Sequence, residues 1–564
     1  MISIRRTFVL SLLIIGFPSL IFAQGTTVKE TPDNWHQLDK KETGYSGISL
    51  NKAYELLKGK KSKTVIVAVI DSGVDTTHED LKPVLWHNPK EIPDNGIDDD
   101  KNGYVDDVYG WNFIGGKDGR NVKEDSYEGA RVYHKLKAKY GSLVPDESSV
   151  NTAEQKAEIE TYRKAKAKIE GDGTAGVDLF LFKRIFDNMH NSDSILQIAM
   201  NKKVFTGKEL DAFIPTTPEA VKAKNGYLSF IKSNNSLDQT NKEFMEGFEE
   251  YLKGEERKTE AKTTAPRDYR GEIVKDDEKN INDKYYGNKD VMAGTPTHGT
   301  HVSGIIGAAR NNNKGGDGIA DNVKIMMIRA VPDGDEHDKD IALAIRYAVD
   351  NGAQIISMSF GKDFSPEKKW VDDAVRYAES KGVLLVHAAG NDAKNIDTAD
   401  NFPNPVYVDG KGRSNNFITV GASGDETNGG LTANFSNFGK KEVDLFSPGV
   451  KIYSTLPGST YGKLSGTSMA APVVAGIAAL VLEYYPTLSA TQLKYILEKS
   501  ATPLSEKVKL PGTDEKVYLA DLSKTGGIVN AYEAVKLAAT LKGERNTQVP
   551  VIIKTKIVKK GRKK

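Results

Sequence analysis

Three polar side chains lie where the surrounding sequence would present a reactive group. Asp71 directly follows the apolar run VIVAVI at 65–70, His298 lies in PTHGTHVSGIIGAA, and Ser468 lies in SGTSMAAPVVAG. A serine hydroxyl is a weak nucleophile unless a neighbouring imidazole takes its proton and a carboxylate orients that imidazole. The three residue types therefore predict nucleophilic catalysis, with Asp71 orienting, His298 as base and Ser468 as nucleophile.

Each of these residues also has an ordinary structural interpretation. Asp71 alone could cap a turn, and Ser468 alone could be a common N-cap serine. His298 and His301 together could bind zinc, but the helical zinc motif needs a four-residue spacing with an adjacent glutamate, and this pair has neither. We therefore interpret His298 as a base and His301 as a structural histidine one helical turn later.

The elements that must position these residues alternate between strand and helix. Apolar, β-branched runs at 65–70, 324–331, 353–360, 382–389 and 416–423 are typical of interior strands in a parallel sheet. Between them, DIALAIRYAVDNG and WVDDAVRYAESKG carry apolar residues at helical spacing and end near glycine. This alternation predicts an α/β fold, in which reactive groups collect at the carboxyl ends of the strands.

One long region departs from this alternation. Residues 120–286 are rich in Lys, Glu, Asn and Asp, and contain helical stretches such as AEQKAEIETYRKAKAKIE without strand-like runs. We predict a large, mainly helical insertion in the α/β domain. The alternative is a partly disordered linker.

Composition and the N-terminus limit the classes of function. The chain has 564 residues, a net charge of +1 and no cysteine, so it offers no general electrostatic field for nucleic acid and cannot be a thiol enzyme. Arg5 and Arg6 precede an apolar stretch that ends at Ala23, which predicts a signal peptide and export to the periplasm, the cell surface or the medium. An uncleaved membrane anchor is the alternative; no later segment is apolar for long enough to span a bilayer.

Three motifs together resemble those of the subtilisin-like serine proteases, the subtilases. They are VIDSGVDTTHEDL around Asp71, HGTHVSGIIGA around His298 and SGTSMAAPVVAGIAAL around Ser468, in the order Asp, His, Ser. The resemblance implies a subtilisin-like parallel sheet flanked by helices and an endopeptidase that forms an acyl-enzyme on Ser468. It also implies that Asn391, in HAAGND, donates its amide to the oxyanion.

The same resemblance implies a substrate cleft. The segment Ser357–Gly361 would pair with an extended polypeptide substrate. The pocket for the residue before the cut would be flanked by Ser359, Phe360, Gly361, Ala388, Ala389 and Gly390. Because most of these side chains are small, we expect the pocket to accept large apolar residues.

An acidic loop predicts a structural calcium ion. In NGIDDDKNGYVDDVYGWN, Asp98, Asp100 and Asn102 alternate before Gly103, like the first half of an EF-hand loop, and Asp106 occupies the ninth position. The twelfth position is Tyr109 instead of a glutamate, so Asp107 or a distant carboxylate would have to supply that ligand. A solvated acidic loop is the alternative. Asp80 matches a second calcium ligand of the family, but the partner loop RNNNKGGDG differs in length.

These interpretations divide the chain into six parts. They are a signal peptide (1–23), a leader (24–63) too short for a typical inhibitory prodomain, a peptidase domain in two parts (64–119 and 287–541), the helical insertion (120–286) and a basic tail (542–564). We expect polypeptide substrates. The competing hypotheses are a catalytically silent subtilase-like module, an esterase or amidase that uses the same triad, and a calcium-dependent adhesion protein.

Overall fold

A computed structural model describes residues 31–146, 148, 150–171, 179–233, 236–237, 239–294 and 296–545. The predicted signal peptide (1–23) and residues 546–564 of the predicted basic tail lie outside the described residues.

A nine-stranded sheet forms the centre of the protein, in the order β10-β13-β7-β6-β5-β4-β1-β3-β2. Its pairs are parallel except for the antiparallel edge pair β10–β13, and β8–β9 and β11–β12 form separate two-stranded sheets. The strands are β1 Val65–Asp71, β2 Gly110–Asn112, β3 Val323–Arg329, β4 Ile355–Met358, β5 Leu384–Ala388, β6 Phe417–Ser423, β7 Leu445–Pro448, β8 Ile452–Leu456, β9 Thr460–Leu464, β10 Thr502–Pro503, β11 Lys507–Lys509, β12 Lys516–Tyr518 and β13 Gly527–Ile528.

Helices surround this sheet and make up most of the region between β2 and the helix that carries His298. They are α1 Lys40–Thr43, α2 Leu50–Leu57, α3 Glu128–Tyr140, α4 Ala153–Glu170, α5 Leu179–Ala199, α6 Gly207–Ala212, α7 Pro218–Ser233, α8 Asn241–Glu260, α9 Tyr269–Val274, α10 Thr297–Gly307, α11 Asp338–Asp350, α12 Lys368–Ser380, α13 Thr467–Tyr484, α14 Ala490–Ser500 and α15 Ala531–Ala538.

Both faces of the sheet are buried, which explains the continuous apolar runs of its strands. In β1, Val67 and Val69 join the core that contains α10 and α13, whereas Ala68 and Ile70 join the core that contains α11 and α12. A strand buried on both sides needs apolar side chains at every position. The predicted α/β sheet flanked by helices, with a large helical insertion, is therefore confirmed.

The insertion consists of helices α3 to α9, which contribute to two hydrophobic clusters, one of them shared with the α/β domain. Helices α3 and α4 pack around Tyr133 and Tyr162 together with Phe364 of the α/β domain, and helices α5 to α8 pack around residues such as Phe244 and Phe248. An amphipathic helix is stable when its apolar face is covered. The polar composition of this region thus reflects exposed faces of packed helices.

The segment before β1 is part of the core. Trp35, Ile48 and Leu50 are fully buried, the Trp35 indole Nε1 donates to Val450 O at 3.2 Å, and α2 packs against α15. We expect this segment to stabilise the α/β domain, since burying a large apolar side chain contributes about 2 kcal/mol.

Candidate active site

His298 is held at the start of helix α10 against the carboxyl end of β1. Its Nδ1 lies 2.7 Å from Asp71 Oδ1, and both side chains are buried. The close approach depends on Gly299: a methyl group there would lie 2.1 Å from Gly73 O and 3.2 Å from Asp71 Cβ. The glycine of the HGTH motif therefore lets the helix sit directly on the end of the strand.

Asp71 is fixed by its own main chain as well as by the histidine. Its Oδ1 also accepts from Ser72 N at 2.7 Å, while Oδ2 is buried without a hydrogen-bond partner among the described residues. A carboxylate held in this way can fix the orientation and tautomer of the imidazole. The other imidazole nitrogen, Nε2, has no hydrogen-bond partner among the described residues and is available as a base.

Ser468 is the second residue of helix α13, which packs against α10. Its hydroxyl donates to Ser359 O at 3.3 Å, a long hydrogen bond. No bond between Ser468 Oγ and His298 Nε2 is present in the described structure, and hydrogen bonds of this kind are often long before substrate binds. The serine and the histidine nevertheless lie at the first turns of two helices in contact.

Asn391 lies beside the start of the same helix. Its Oδ1 accepts from Thr467 N at 2.8 Å and from Thr467 Oγ1 at 2.9 Å. A methyl group on Gly466 would lie 3.6 Å from both Asn391 Nδ2 and Ser468 N. Two N–H donors therefore flank the same space, which the glycine leaves free.

Thr467 is a further residue of the candidate site that the sequence interpretation did not include. Besides donating to Asn391, its hydroxyl accepts from Gly390 N at 3.1 Å. The threonine thus fixes which end of the Asn391 amide points toward Ser468. Its place directly before the nucleophile was a possible signal, but the reach across to Asn391 depends on the packing of β5 against α13.

The two predicted substrate segments lie at the ends of adjacent strands β4 and β5. Ser359 Oγ donates to Ser468 O at 3.0 Å, and Phe360 O lies 2.7 Å from Nε2 of the buried His387. Burial lowers the pKa of His387 to about 4, so the ring is neutral and donates from one nitrogen. The Phe360, Ala388 and Ala389 side chains are buried, which leaves main chain and glycines to face a ligand.

The second histidine of the motif has a different environment. His301 is fully buried, its Nε2 lies 3.1 Å from Gly462 O, and burial lowers its pKa to about 3. A neutral ring fixed to a main-chain carbonyl joins α10 to strand β9. This contact is structural.

The arrangement of these residues agrees with the comparison with known proteins. Residues 62–517 match the family model described as the Subtilase family. The chain belongs to the subtilase family. Membership makes it a serine endopeptidase, with a subtilisin-like fold.

Individual relatives are similar to part of the chain. Subtilisin DY of Bacillus licheniformis is 38% identical over 210 residues, which cover 37% of this chain and 72% of that protein. Thermitase of Thermoactinomyces vulgaris is 38% identical over 240 residues, which cover 42% of this chain and 75% of thermitase. A solved protease structure from Pseudoalteromonas arctica has a TM-score of 0.36 and 28% identity, and covers 45% of this chain and 79% of its own.

A carboxylate cluster in the acidic loop includes one residue that the sequence did not indicate. Ligand oxygens of Glu91, Asp98 and Asp100 all lie within 4.8 Å of one another. Glu91 is buried; its Oε1 accepts from Asp100 N at 3.2 Å, while its Oε2 has no hydrogen-bond partner among the described residues. Asp98 and Asp100 are half-buried and accept main-chain N–H groups of Asn102 and Gly103. Three carboxylates so close together, with one buried oxygen unpaired, fit a hard cation. The distance of Glu91 from the acidic run left no sequence signal.

The other two calcium ligands predicted from sequence, Asn102 and Asp106, have side chains that make other contacts. Asn102 Oδ1 accepts from Tyr104 N at 2.8 Å. Asp106 lies outside the carboxylate cluster, since its oxygens accept from Asn95 N and Gly96 N and pair with Lys289 at 3.1 Å. Of the four calcium ligands predicted from sequence, Asp98 and Asp100 lie in the carboxylate cluster, and Asn102 and Asp106 do not belong to it.

At the second predicted calcium position, protein donors surround the carboxylate. Asp80 Oδ1 accepts from Asn312 Nδ2, and Oδ2 accepts from Tyr461 OH at 2.9 Å. These contacts already satisfy the oxygens that a cation would use, so Asp80 does not fit a calcium ligand here.

Within the described residues one helix, α13, meets the length and composition expected of a membrane span, which corrects the expectation from sequence that no segment after the N-terminal stretch would do so. Of its most apolar window, 94% is buried inside the protein. It is the central helix of the core.

Proposed function

We propose that this subtilase is an exported endopeptidase that hydrolyses peptide bonds with Asp71, His298 and Ser468 as its catalytic triad. The observation that carries the proposal is the 2.7 Å contact between His298 Nδ1 and Asp71 Oδ1 on α10 and β1, beside the helix α13 whose second residue is Ser468. An imidazole oriented in this way presents its free Nε2 to the serine hydroxyl.

In the first half of the reaction, Ser468 forms a bond with the substrate. As Oγ attacks the peptide carbonyl carbon, its proton passes to His298 Nε2, and the imidazolium is stabilised by the Asp71 carboxylate. The carbonyl oxygen becomes an oxyanion. When the C–N bond breaks, the same proton passes from His298 to the leaving amine, and an acyl-enzyme remains.

The oxyanion would occupy the space beside Gly466. Asn391 Nδ2 and Ser468 N flank that space at equal distances, and the start of α13 adds the positive end of its helix dipole. Because Thr467 holds the other end of the Asn391 amide, the donor needs no reorientation when the negative charge develops.

In the second half of the reaction, water takes the place of the amine. His298 removes a proton from the water, the hydroxide attacks the acyl carbon, and the oxyanion again forms between the two donors. When the bond to Oγ breaks, the proton returns to Ser468. The products are a carboxylic acid, an amine and the unchanged enzyme.

We also propose that Glu91, Asp98 and Asp100 hold one structural calcium ion. Calcium takes oxygen ligands from carboxylates and main-chain carbonyls, and the unpaired Glu91 oxygen supports this assignment. When bound, the ion would neutralise the mutual repulsion of the three carboxylates. The proposed triad needs no metal chemistry.

Export is proposed from the N-terminal sequence. The basic residues Arg5 and Arg6, the apolar stretch and Ala23 form a signal-peptide pattern. An exported enzyme would meet polypeptide substrates outside the cytoplasm.

The test is digestion of a denatured proteome by the purified protein, followed by mass spectrometry of the released peptides. We expect new peptide termini with the wild-type enzyme and none with Ser468→Ala. A parallel assay compares casein with a small ester. Ester turnover without peptide release would favour the esterase hypothesis, and no turnover of either by folded protein would favour the silent module.

A further inference from the structure

A buried arginine lies beside the proposed catalytic pair, on the neighbouring strand of the sheet. Arg329, the last residue of β3, is in register with Asp71, the last residue of β1. Residues in register in a parallel sheet have their side chains on the same face. The guanidinium, which is 2% exposed, therefore lies on the face of the sheet that packs against α10.

One nitrogen of Arg329 bonds to the segments on both sides of this pair. Nε donates to Ser72 O at 3.0 Å and to Ala293 O at 3.1 Å, so two main-chain carbonyls share one N–H. Ser72 directly follows Asp71 and donates its own N–H to Asp71 Oδ1. Ala293 lies on the segment that leads into α10 and His298. The arginine thus connects the loop that follows the carboxylate to the segment that precedes the imidazole.

The other two nitrogens of Arg329 contact the chain near the start of the insertion. Nη1 donates to Asn112 Oδ1 at 3.2 Å, and Nη2 donates to Val122 O. The main chain of Asn112 also pairs with that of Asn288, where the insertion returns, through hydrogen bonds of 2.9 and 3.1 Å. The guanidinium therefore lies where the chain leaves the α/β domain and where it comes back.

This buried cation is not paired with a carboxylate of the described residues. Its hydrogen-bond partners there are three main-chain carbonyls and one amide oxygen. Burial lowers the pKa of Arg329 to about 10, although the charge of Asp290 opposes this effect, so the side chain is charged at neutral pH. A buried charge without a charged partner is costly. A neutral side chain would avoid that cost but could not donate to four separate segments.

We propose that Arg329 is a positioning residue for the triad, because it holds together the two segments that keep Asp71 and His298 in hydrogen-bond contact. These two residues are 227 positions apart in the chain, and the whole insertion lies between them. Without the guanidinium, the returning end of the insertion could move relative to β1 and displace His298. The inference rests on the proposed function, because it concerns the triad of that same site.

The first experiment compares the full chain with Arg329→Met and Arg329→Lys in steady-state kinetics on one peptide substrate. Methionine removes the charge and all donors from a long side chain, whereas lysine keeps the charge on a single nitrogen. We expect Arg329→Met to lower kcat by about 10- to 100-fold, the range for a small misplacement of catalytic groups. KM should be nearly unchanged, since alignment acts on the transition state. Arg329→Lys should lower kcat by a smaller factor.

Arg310→Met is the matched control for these variants. Arg310 also donates to a main-chain carbonyl, that of Gly318, and lies over the Tyr54 ring at 4.4 Å. It lies beyond the end of α10 that is opposite His298, and we expect its kcat to equal that of the wild type. A purely structural role of Arg329 would lower the melting temperature of its variants and leave kcat of the folded protein unchanged.

The second experiment observes the contact between Asp71 and His298 without turnover. A proton held between His298 Nδ1 and a buried carboxylate gives a low-field resonance in proton NMR spectra, and His298→Ala identifies this resonance by its absence. We expect the resonance in the wild type and in Arg310→Met. In folded Arg329→Met it should be weakened and broadened by exchange with solvent.

The outcomes separate this inference from the proposed function. Peptide cleavage by the wild type but not by Ser468→Ala reports the endopeptidase independently of Arg329. If folded wild type cleaves no peptide, the proposed function fails, and the resonance still tests whether Arg329 aligns Asp71 with His298. Wild-type kcat and an unchanged resonance in a folded Arg329 variant would overturn the inference. Failure of both Arg329 variants to fold would also count against it, because the arginine would then support the fold as a whole.

Discussion

At the scale of single residues, the proposed site contains side chains that react and side chains that only position them. Three of the side chains chosen from sequence, Asp71, His298 and Ser468, lie near the carboxyl ends of the strands, and Asp71 lies within hydrogen-bond distance of His298. The glycines at 299 and 466 are equally important. Gly299 lets helix α10 lie against the end of β1, and Gly466 leaves space between Asn391 Nδ2 and Ser468 N. In the proposed mechanism, the reactivity of the polar side chains therefore depends on the small residues next to them.

The first prediction concerns the two donors beside Gly466. Asn391→Leu keeps the shape of the side chain but removes the amide, and we expect kcat to fall by about 100- to 1,000-fold with little change in KM, which is the loss known for such a donor in subtilisin. Thr467→Val should lower kcat by a smaller factor, since it frees the Asn391 amide without removing it.

Steady-state kinetics on one peptide substrate checks both values. Thr460→Val serves as the control, since the Thr460 hydroxyl donates to Pro457 O on the β8–β9 hairpin. An equal fall in kcat in Asn391→Leu, Thr467→Val and Thr460→Val would show a general folding defect and contradict the assignment of Asn391. Unchanged kcat in Asn391→Leu would contradict it directly.

At the scale of elements, a buried ionic network joins the insertion to the loop after β3. Arg131 of α3 donates to the main-chain carbonyls of Asp335 and Glu336, and Lys362 pairs with Glu128 at 2.9 Å. Removing one partner of such a pair leaves a buried charge without compensation. The helix α3 is therefore a fixed part of the α/β domain.

The second prediction is a pH dependence of stability centred on this network. Burial and Arg131 lower the pKa of His337, but hydrogen bonds to Asp125 and Glu278 raise it more, to about 9. A pKa raised above its unfolded value of 6.5 stabilises the fold below that value, and the contribution is lost as the pH rises through 9.

We expect the free energy of unfolding to fall by up to about 3 kcal/mol from this residue between pH 6.5 and 9.5. Urea denaturation at both pH values measures it. In His337→Gln, the part of this decrease in unfolding free energy that comes from residue 337 should be absent. His134→Gln, whose imidazole contacts the Ala261 carbonyl, should behave like the wild type, and an unchanged pH profile in His337→Gln would contradict the account.

The third prediction concerns the acidic loop as an element. Excess calcium should raise the melting temperature of the wild type by several degrees relative to EDTA, because a ligand at 100 times its Kd stabilises by about 2.7 kcal/mol. Glu91→Gln should remove most of this shift. Asp106→Asn is the matched control and should retain it, since Asp106 pairs with Lys289. If Asp106→Asn loses the calcium-dependent shift while Glu91→Gln retains it, the proposed ligand set is wrong and the set predicted from sequence, which includes Asp106, is favoured.

At the scale of the whole molecule, the insertion divides into a part fixed to the α/β domain and a part with its own core. Helices α3 and α4 share their cluster with Phe364, whereas α5 to α8 pack among themselves. The two ends of the second part lie close together, because Tyr133 OH bonds Glu170 at 2.5 Å and the adjacent His134 contacts Ala261 O at 2.7 Å.

The fourth prediction is that α5 to α7 and most of α8 can be removed. Replacing residues 172–254 by a short Gly/Ser linker keeps Arg257, which pairs with Asp333 at 2.9 Å, and should change kcat/KM on a short peptide by less than about threefold, since additivity holds for distant sites. Replacing α3 and α4 as well should instead yield little folded protein, because Lys362 and Phe364 lose their partners. Circular dichroism melting and peptide kinetics measure both outcomes, and loss of folding in the smaller deletion would contradict this division.

Local elements could be predicted from the sequence, whereas contacts that depend on the packed structure could not. The strands at 65–70 and 416–423 and the helices α11 and α12 are specified by local apolar spacing, and were predicted. The contact of Thr467 with Asn391 could not be predicted, because it forms only when segments far apart in the chain pack together. The approach of Glu91 to Asp98 and Asp100 depends on how the acidic loop folds back, which residue spacing does not specify. The same holds for Trp35, whose polar surroundings hide its place in the core.

The central claim is that His298 activates Ser468 for attack on a carbonyl. The most direct measurement is mass spectrometric mapping of a fluorophosphonate adduct on folded protein. We predict one adduct, on Ser468, in the wild type, at least a thousandfold slower labelling in His298→Ala, and none in Ser468→Ala. Equal labelling rates in wild type and His298→Ala, or an adduct on another residue, would contradict the claim.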